Sequence, residues 1–164
     1  MKTISILFAL PLLVTPALAG CGPAETGSEL PDQAGYCSIS FEEDFPETRD
    51  VDLGVLSESG FQPYQEGDEI ALISGGQGAT MITPVVRVAK GAGDDAAPCF
   101  RVLVEESAGD FTSEFDVEFR AEGDHLFSDG ALYFITYSEG EVGLTLTVEG
   151  KGFSGTKSVN VVLR

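Results

Sequence analysis

The stretch FTSEFDVEFRAE, residues 111–122, decides the fold class because apolar and polar side chains alternate along it. The apolar positions are Phe111, Phe115, Val117, Phe119 and Ala121, and the polar positions between them are Thr112, Glu114, Asp116, Glu118 and Arg120. A period of two is typical of a β-strand with one buried face and one solvated face. We therefore predict a half-buried strand here.

Similar patterns extend on both sides of this stretch and predict an all-β domain. GLTLTVEG (143–150) and KSVNVVLR (157–164) alternate in the same way, and other runs are rich in β-branched and aromatic residues. These runs are VDLGVL (51–56), EIALI (69–73), PVVRVA (84–89), CFRVLVEE (99–106) and ALYFITY (131–137). Glycine-rich and Asp-rich turns separate them, and no segment has a helical period. We predict an antiparallel immunoglobulin-like β-sandwich of about 7–9 strands over residues 36–164.

Pro84 interrupts the apolar run from Ala79 to Ala89. Proline has no N–H to donate to a strand ladder, so it is confined to edge strands and bulges. We predict either an edge strand at this position or a bulge where the chain changes sheet.

The first 20 residues have the layout of a secretory signal peptide. Met1-Lys2 is a short positive start, residues 4–18 (ISILFALPLLVTPAL) are apolar, and small residues lead to Cys21. A membrane-spanning helix needs about 20 apolar residues. The fifteen residues here, interrupted by Pro11 and Pro16, predict a cleaved signal over residues 1–20 rather than a span.

Leu18-Ala19-Gly20-Cys21 resembles the lipobox of bacterial lipoproteins, in which cysteine follows two small residues. The resemblance implies cleavage before Cys21, lipidation of its thiol and acylation of the new amino group. Two or more acyl chains give stable membrane anchoring. Gly22, where some such lipoproteins carry aspartate, implies the outer membrane of a bacterial envelope. The alternative is an ordinary secretory signal cut near Ala19, which leaves Cys21 as a free thiol.

The remaining two cysteines, Cys37 and Cys99, form an even pair in an exported and therefore oxidising compartment. We predict a disulfide between them. Residues 21–35 include GPAETGSELPDQAG, which has almost no large apolar side chain, so we predict a lipidated N-terminus followed by a flexible tether.

The acidic charge of the chain argues against nucleic acid as a partner and raises calcium binding as an alternative. The sequence has 27 acidic and 9 basic residues, a net charge of −18, which repels nucleic acid. Calcium prefers carboxylates on loops. Glu122, Asp124 and Asp129 lie on one predicted loop, so a calcium-stabilised surface or adhesion-type domain is an alternative, and we expect no other cofactor.

Catalysis is a further alternative, because Asp124, His125, Ser128 and Asp129 lie within six residues. No G-x-S-x-G elbow accompanies them, and a triad is defined by geometry rather than by closeness in sequence. A single histidine also cannot supply a blue-copper site. We therefore expect that the protein is not an enzyme and that it has no catalytic residues.

The block FQPYQEGDEIALISGGQGATMITP, residues 61–84, resembles a stretch of uncharacterised envelope lipoproteins of Gram-negative bacteria. Its glycines permit a close backbone approach at a loop tip. We predict a ligand-binding loop with Phe61, Tyr64, Gln77 and Thr80, the alternative being a tight hairpin turn. The expected function is a lipid-anchored envelope protein with a non-catalytic binding or structural module for a protein or glycan.

Overall fold

The structure is a computed structural model that describes residues 32–40, 45–75, 78–94, 98–107 and 111–164. The predicted signal peptide, the predicted lipidation site Cys21, the part of the predicted tether up to residue 31, and Gln77 lie outside these residues.

The described residues form strands and no helix, which confirms the all-β prediction. The strands are β1 (Glu47–Thr48), β2 (Val51–Ser57), β3 (Gly60–Pro63), β4 (Glu69–Ile70), β5 (Ile73–Ser74), β6 (Thr80–Ile82), β7 (Val85–Ala89), β8 (Cys99–Glu106), β9 (Phe111–Glu122), β10 (His125–Ser128), β11 (Phe134–Thr136), β12 (Gly140–Gly150) and β13 (Phe153–Leu163). A search of the described residues finds no helix with the length and apolar character to cross a membrane.

One curled, mixed sheet contains most of these strands. Its order is β1-β13-β12-β8-β9-β10-β7-β2-β3, with β4 also paired to β13, and β1 and β4 run parallel to β13. The first eight residues of β9 pair with β8 and the last four pair with β10, so β9 joins the two halves of the sheet. A small second sheet has the order β11-β6-β5. This continuous mixed sheet does not confirm the antiparallel immunoglobulin-like sandwich.

The core lies between the two halves of the curled sheet. The alternation of β9 and β12 buries Val117, Phe119, Leu144, Leu146 and Val148, as the sequence predicts. The halves meet closely where β2 crosses β13. A Cβ on Gly155 would lie 2.4 Å from the carbonyl oxygen of Arg49 and 2.6 Å from Cγ1 of Val51, so this crossing requires glycine.

The chain changes sheet at Pro84, which agrees with one of the two alternatives predicted there. β6 belongs to the small sheet and β7 to the large sheet, and the Pro84 carbonyl accepts a hydrogen bond from Leu132 N at 2.7 Å. EIALI, in contrast, is not one strand: β4 ends at Ile70, and β5 begins at Ile73 in the other sheet. Periodicity could not detect this break, because the neighbours of each half lie far away in the sequence.

The Cys37–Cys99 disulfide is present, as predicted. The predicted tether needs correction, however, since residues 32–35 pair with the domain. Gly35 N donates to the carbonyl oxygen of Asp129 at 3.2 Å, and Ala34 is 4% exposed. Backbone hydrogen bonds hold this segment, and composition carries no signal of them.

Candidate functional site

A cleft among the described residues has a volume of about 620 Å³, within the range of small-ligand sites. It lies at one end of the β2–β7 part of the large sheet. Its walls combine apolar, polar and charged groups. They are Asp32, Gln33, Gly35, Val55, Leu56, Thr83, Val85, Arg120, Ser128, Asp129, Gly130 and Ala131.

The cleft forms because β7 separates from β2 partway along it. The two strands pair only from Gly54↔Val85 to Val51↔Val88, whereas β2 continues to Ser57 alongside β3. Pro84 directs the preceding chain into the small sheet. As a result, Val55 and Leu56 have no β7 neighbour, and their side chains are 40% and 48% exposed.

A second wall is built by the segment 32–35, which packs against the turn after β10. Ala34 N donates to the Ala131 carbonyl at 3.0 Å, and Ala131 N donates to the Asp32 carbonyl at 2.9 Å. Gly130 has φ of 112°, and a Cβ there would lie 2.7 Å from the Asp32 carbonyl oxygen and 2.8 Å from Ala34 N. Only glycine meets both requirements without displacing this wall.

The charges of the cleft are predominantly acidic. Arg120 supplies its cation, and Arg120 Nε lies 4.0 Å from Oδ1 of Asp129, with both side chains more than half exposed. An exposed pair at this distance contributes little stability. Asp32 is exposed and makes no side-chain ion pair within the described ranges, and the Glu118 carboxylate lies beside Gly35. The cleft and its border therefore carry three carboxylates and one guanidinium.

A small apolar cluster supports the floor of the cleft. It consists of Val85, Phe127 and Ala131, with Phe61 and Tyr133 packed against it. The Phe61 and Phe127 ring centroids are 5.6 Å apart. Arg87 lies 4.7 Å from the Phe61 centroid and also pairs with Asp52, so it covers the ring on the solvent side.

The residues of the predicted ligand loop do not form one site. Phe61 belongs to the apolar cluster. Tyr64 is only 9% exposed, and burial, reinforced by the Asp68 carboxylate, raises the pKa of its hydroxyl above the ordinary range. Thr80 donates its hydroxyl to the Thr136 carbonyl at 2.6 Å within the small sheet. The prediction grouped residues that are close in sequence, but Pro63 ends the strand in one sheet and Thr80 begins a strand in another.

The three carboxylates predicted for calcium do not converge. Glu122 and Asp124 lie at the β9–β10 turn, whereas Asp129 follows the other end of β10. Because a strand rises about 3.3 Å per residue, β10 separates the two ends by more than about 10 Å. No group of three His, Cys, Asp or Glu side chains that could hold a metal ion occurs within the described residues. The expected loop is instead a tight hairpin around Gly123, whose φ is 60°.

The residues considered for hydrolysis are also separated by β10. His125 lies at its start and Ser128 at its end. Ser128 is buried, donating its hydroxyl to the Gly130 carbonyl at 2.7 Å and accepting from Val86 N at 3.1 Å. The Ser128 hydroxyl thus fixes the turn that shapes the cleft.

Glu106 is a buried carboxyl at the end of β8. One of its oxygens, Oε2, accepts the Thr136 hydroxyl at 2.6 Å, and Oε1 has no hydrogen-bond partner within the described residues. Nearby Ser107 lines a second cleft of about 460 Å³ beside β12 and β13. Neither feature brings a nucleophile and a base together.

Comparisons with protein-family models, curated proteins and solved structures give no match. The cleft therefore has to be interpreted from its own geometry. Sequence reasoning singled out Ser128 and Asp129 for other roles and missed the remaining cleft residues, although one signal was available in VDLGVL. Val55 and Leu56 are adjacent apolar residues on a strand, so they point to opposite faces, and a single core cannot bury both.

Proposed function

We propose that this protein is a lipid-anchored component of a bacterial cell envelope and that its β-rich unit is a non-catalytic binding module, built as a sandwich-like scaffold. The observation that carries the anchoring proposal is the sequence Leu18-Ala19-Gly20-Cys21 after an apolar segment. Cys21 receives the lipid, and an outer-membrane location follows from glycine rather than aspartate at position 22.

Three further features support this proposal. The Cys37–Cys99 disulfide suits an oxidising compartment outside the cytoplasm. The segment from Gly22 to Pro31 provides a spacer between the lipid and the folded unit. The net charge of −18 disfavours nucleic acid as a ligand.

The binding surface that we propose is the cleft between β2 and the segment 32–35. It combines exposed apolar side chains, carboxylates and a guanidinium in a concave site of ligand-binding size. Such a mixed surface suits an envelope protein or glycan better than it suits a purely apolar small molecule. The cleft replaces Phe61, Tyr64 and Thr80 as the place to search for the ligand.

Metabolic labelling with an alkyne analogue of palmitate tests the anchor. The wild-type chain is expected to incorporate the label and to fractionate with envelope membranes, because Cys21 is the acceptor. The Cys21→Ser variant is expected to lose both properties. Thr26→Ala, in the same spacer, is the matched control and is expected to behave like the wild type. A wild-type protein that stays unlabelled and soluble would overturn the anchoring proposal.

A further inference from the structure

Within the described ranges no strand pairs with the cleft-facing edge of β2 beyond Gly54, so this edge has backbone groups available to an additional strand. Tyr64 N donates to the Leu53 carbonyl at 2.8 Å, so Leu53 directs its backbone groups toward the β3 side. Successive residues of an antiparallel strand direct these groups to opposite neighbours. Gly54 therefore faces β7, Val55 faces β3, and Leu56 faces the side that β7 has left.

This edge is accompanied by apolar side chains. Leu56 and Val55 line the cleft and are 48% and 40% exposed, and Val85 forms part of the floor. A free strand edge beside apolar side chains is the surface used for strand addition, in which main-chain hydrogen bonds give affinity and pockets for alternate side chains give specificity.

The charges around this edge favour a partner of positive charge. Asp32 and Asp129 line the cleft, Glu118 lies beside Gly35, and the cation that faces them is Arg120, which stands beside Asp129. The whole chain also carries 27 acidic and 9 basic residues. Such a field accelerates the encounter with a cationic partner and opposes the approach of an anionic one.

We propose that the cleft binds an extended cationic polypeptide segment, which adds as a strand to the β2 edge at Leu56. The inference rests on the proposed binding function and specifies the chemistry of its ligand. The segment receives and donates main-chain hydrogen bonds at Leu56. Its apolar side chains pack on Leu56 and Val85, and its Lys or Arg side chains reach Asp32 and Asp129.

Fluorescence anisotropy with a labelled octapeptide of alternating Val and Lys tests the proposal. The full-length protein is kept in detergent micelles, and the same micelles without protein give the background. We expect saturable binding that weakens as salt is added, because exposed charges are screened. An octapeptide of alternating Val and Glu is expected to bind at least about tenfold more weakly. Equal binding of the two peptides would overturn the charge assignment.

Backbone methylation separates strand addition from simple charge attraction. N–H groups of alternate residues point to the same side of a strand, so methylating the Val amides blocks one edge of the peptide and methylating the Lys amides blocks the other. We expect one methylated series to lose at least about tenfold in affinity while the other binds like the parent peptide. Equal affinity of the two series would overturn strand addition.

A matched pair of variants locates the site. Leu56→Lys places a repelling charge on the edge, and Tyr137→Lys makes the same charge change at a side chain that is 73% exposed and outside the cleft. We expect a rise in Kd of about tenfold or more for Leu56→Lys and of less than about twofold for Tyr137→Lys. Equal effects would overturn the location.

Two outcomes identify another occupant or none. The first outcome is that the protein self-associates in sedimentation experiments, that Leu56→Lys abolishes this association, and that the Val-Lys peptide does not compete with it. In that case the occupant of the cleft is a second copy of the chain, and the proposal is wrong. Absence of peptide binding to the wild type also overturns it. Neither result affects palmitate labelling at Cys21, so failure of this inference and failure of the anchoring proposal are distinguishable.

Discussion

The long strands β8, β9, β12 and β13 differ from the cleft region in what determines their structure. In the long strands, local alternation places Phe119, Leu144 and Leu146 in the core, each no more than 1% exposed. In the cleft region, strands are short and the shape comes from departures of the chain, namely Pro84 turning away from β2 and the segment 32–35 packing against Gly130. The difference indicates that this molecule separates its stability from its candidate binding surface.

Removing the disulfide should cause the largest loss of stability among the changes considered. The disulfide joins the two regions that are compared. Cys37 follows the cleft wall, Cys99 begins β8, and 62 positions separate them in sequence. The chain-entropy model gives about 4 kcal/mol for a loop of this length. We expect the double variant Cys37→Ala, Cys99→Ala to lose about this free energy of unfolding, measured by urea denaturation in micelles.

Reduced wild-type protein is the control for this prediction, and it should unfold at the same urea concentration as the double variant. A loss below about 1 kcal/mol would contradict the chain-entropy estimate on which this prediction rests.

A leucine pair compares the two regions directly. Leu146 is 1% exposed in β12, and Leu56 is 48% exposed at the cleft. We expect Leu146→Ala to lower the free energy of unfolding by about 3 kcal/mol, since it removes apolar contacts and leaves a cavity. Leu56→Ala should cost less than about 0.5 kcal/mol, as is usual for surface substitutions. Similar costs for both variants would remove the distinction between a stabilising region and a binding region.

The strands were predictable from sequence where one buried face determines the alternation. β8, β9, β12 and β13 are all present, and Leu144, Leu146, Val148, Val159, Val161 and Leu163 are buried as their spacing predicted. The disulfide and the change of sheet at Pro84 were predictable for a related reason. Each follows from the chemistry of one residue type, either the oxidation of paired thiols or the missing N–H of proline.

The cleft was not predictable, because it depends on contacts between distant segments. Gln33 bridges to Ala131, and Tyr36 bridges to Val117. These pairings use backbone groups that every residue except proline possesses, so the side chains carry no signal of them. For this reason DQAG (32–35) was predicted to be part of the tether. The division of EIALI between two sheets has the same origin, since Leu72 N donates to the Arg164 carbonyl at 2.6 Å. The resulting curled sheet differs from the predicted antiparallel sandwich through such non-local pairings.

Gly130→Ala should have an intermediate effect and tests whether the cleft wall has its own stability. The added Cβ would stand 2.7 Å from the Asp32 carbonyl oxygen at a φ of 112°. Strain of this kind costs about 1–3 kcal/mol. We expect a loss of about 2 kcal/mol, with faster hydrogen exchange at Ala34 and Ala131 and little change in β12.

Gly123→Ala is the matched control, since its φ is 60° but no atom lies within 4 Å of the added Cβ. If Gly130→Ala accelerates hydrogen exchange equally in the cleft wall and in β12, the wall does not unfold independently of the long strands.

The smallest predicted effect concerns Tyr64, which follows β3 and is buried in the main core. Burial and Asp68 raise the pKa of its hydroxyl in the folded chain above the value of about 10 in an unfolded chain. Below pH 10 both states keep the proton. At higher pH the unfolded chain releases it first, so stability falls, by about 0.8 kcal/mol at pH 10.5. Tyr64→Phe should therefore lose about 0.8 kcal/mol less than the wild type between pH 7 and pH 10.5 in urea denaturation, each protein being compared with itself at pH 7. Equal losses would mean that the Tyr64 hydroxyl reaches solvent, which would return this residue to the set of accessible ligand-binding candidates.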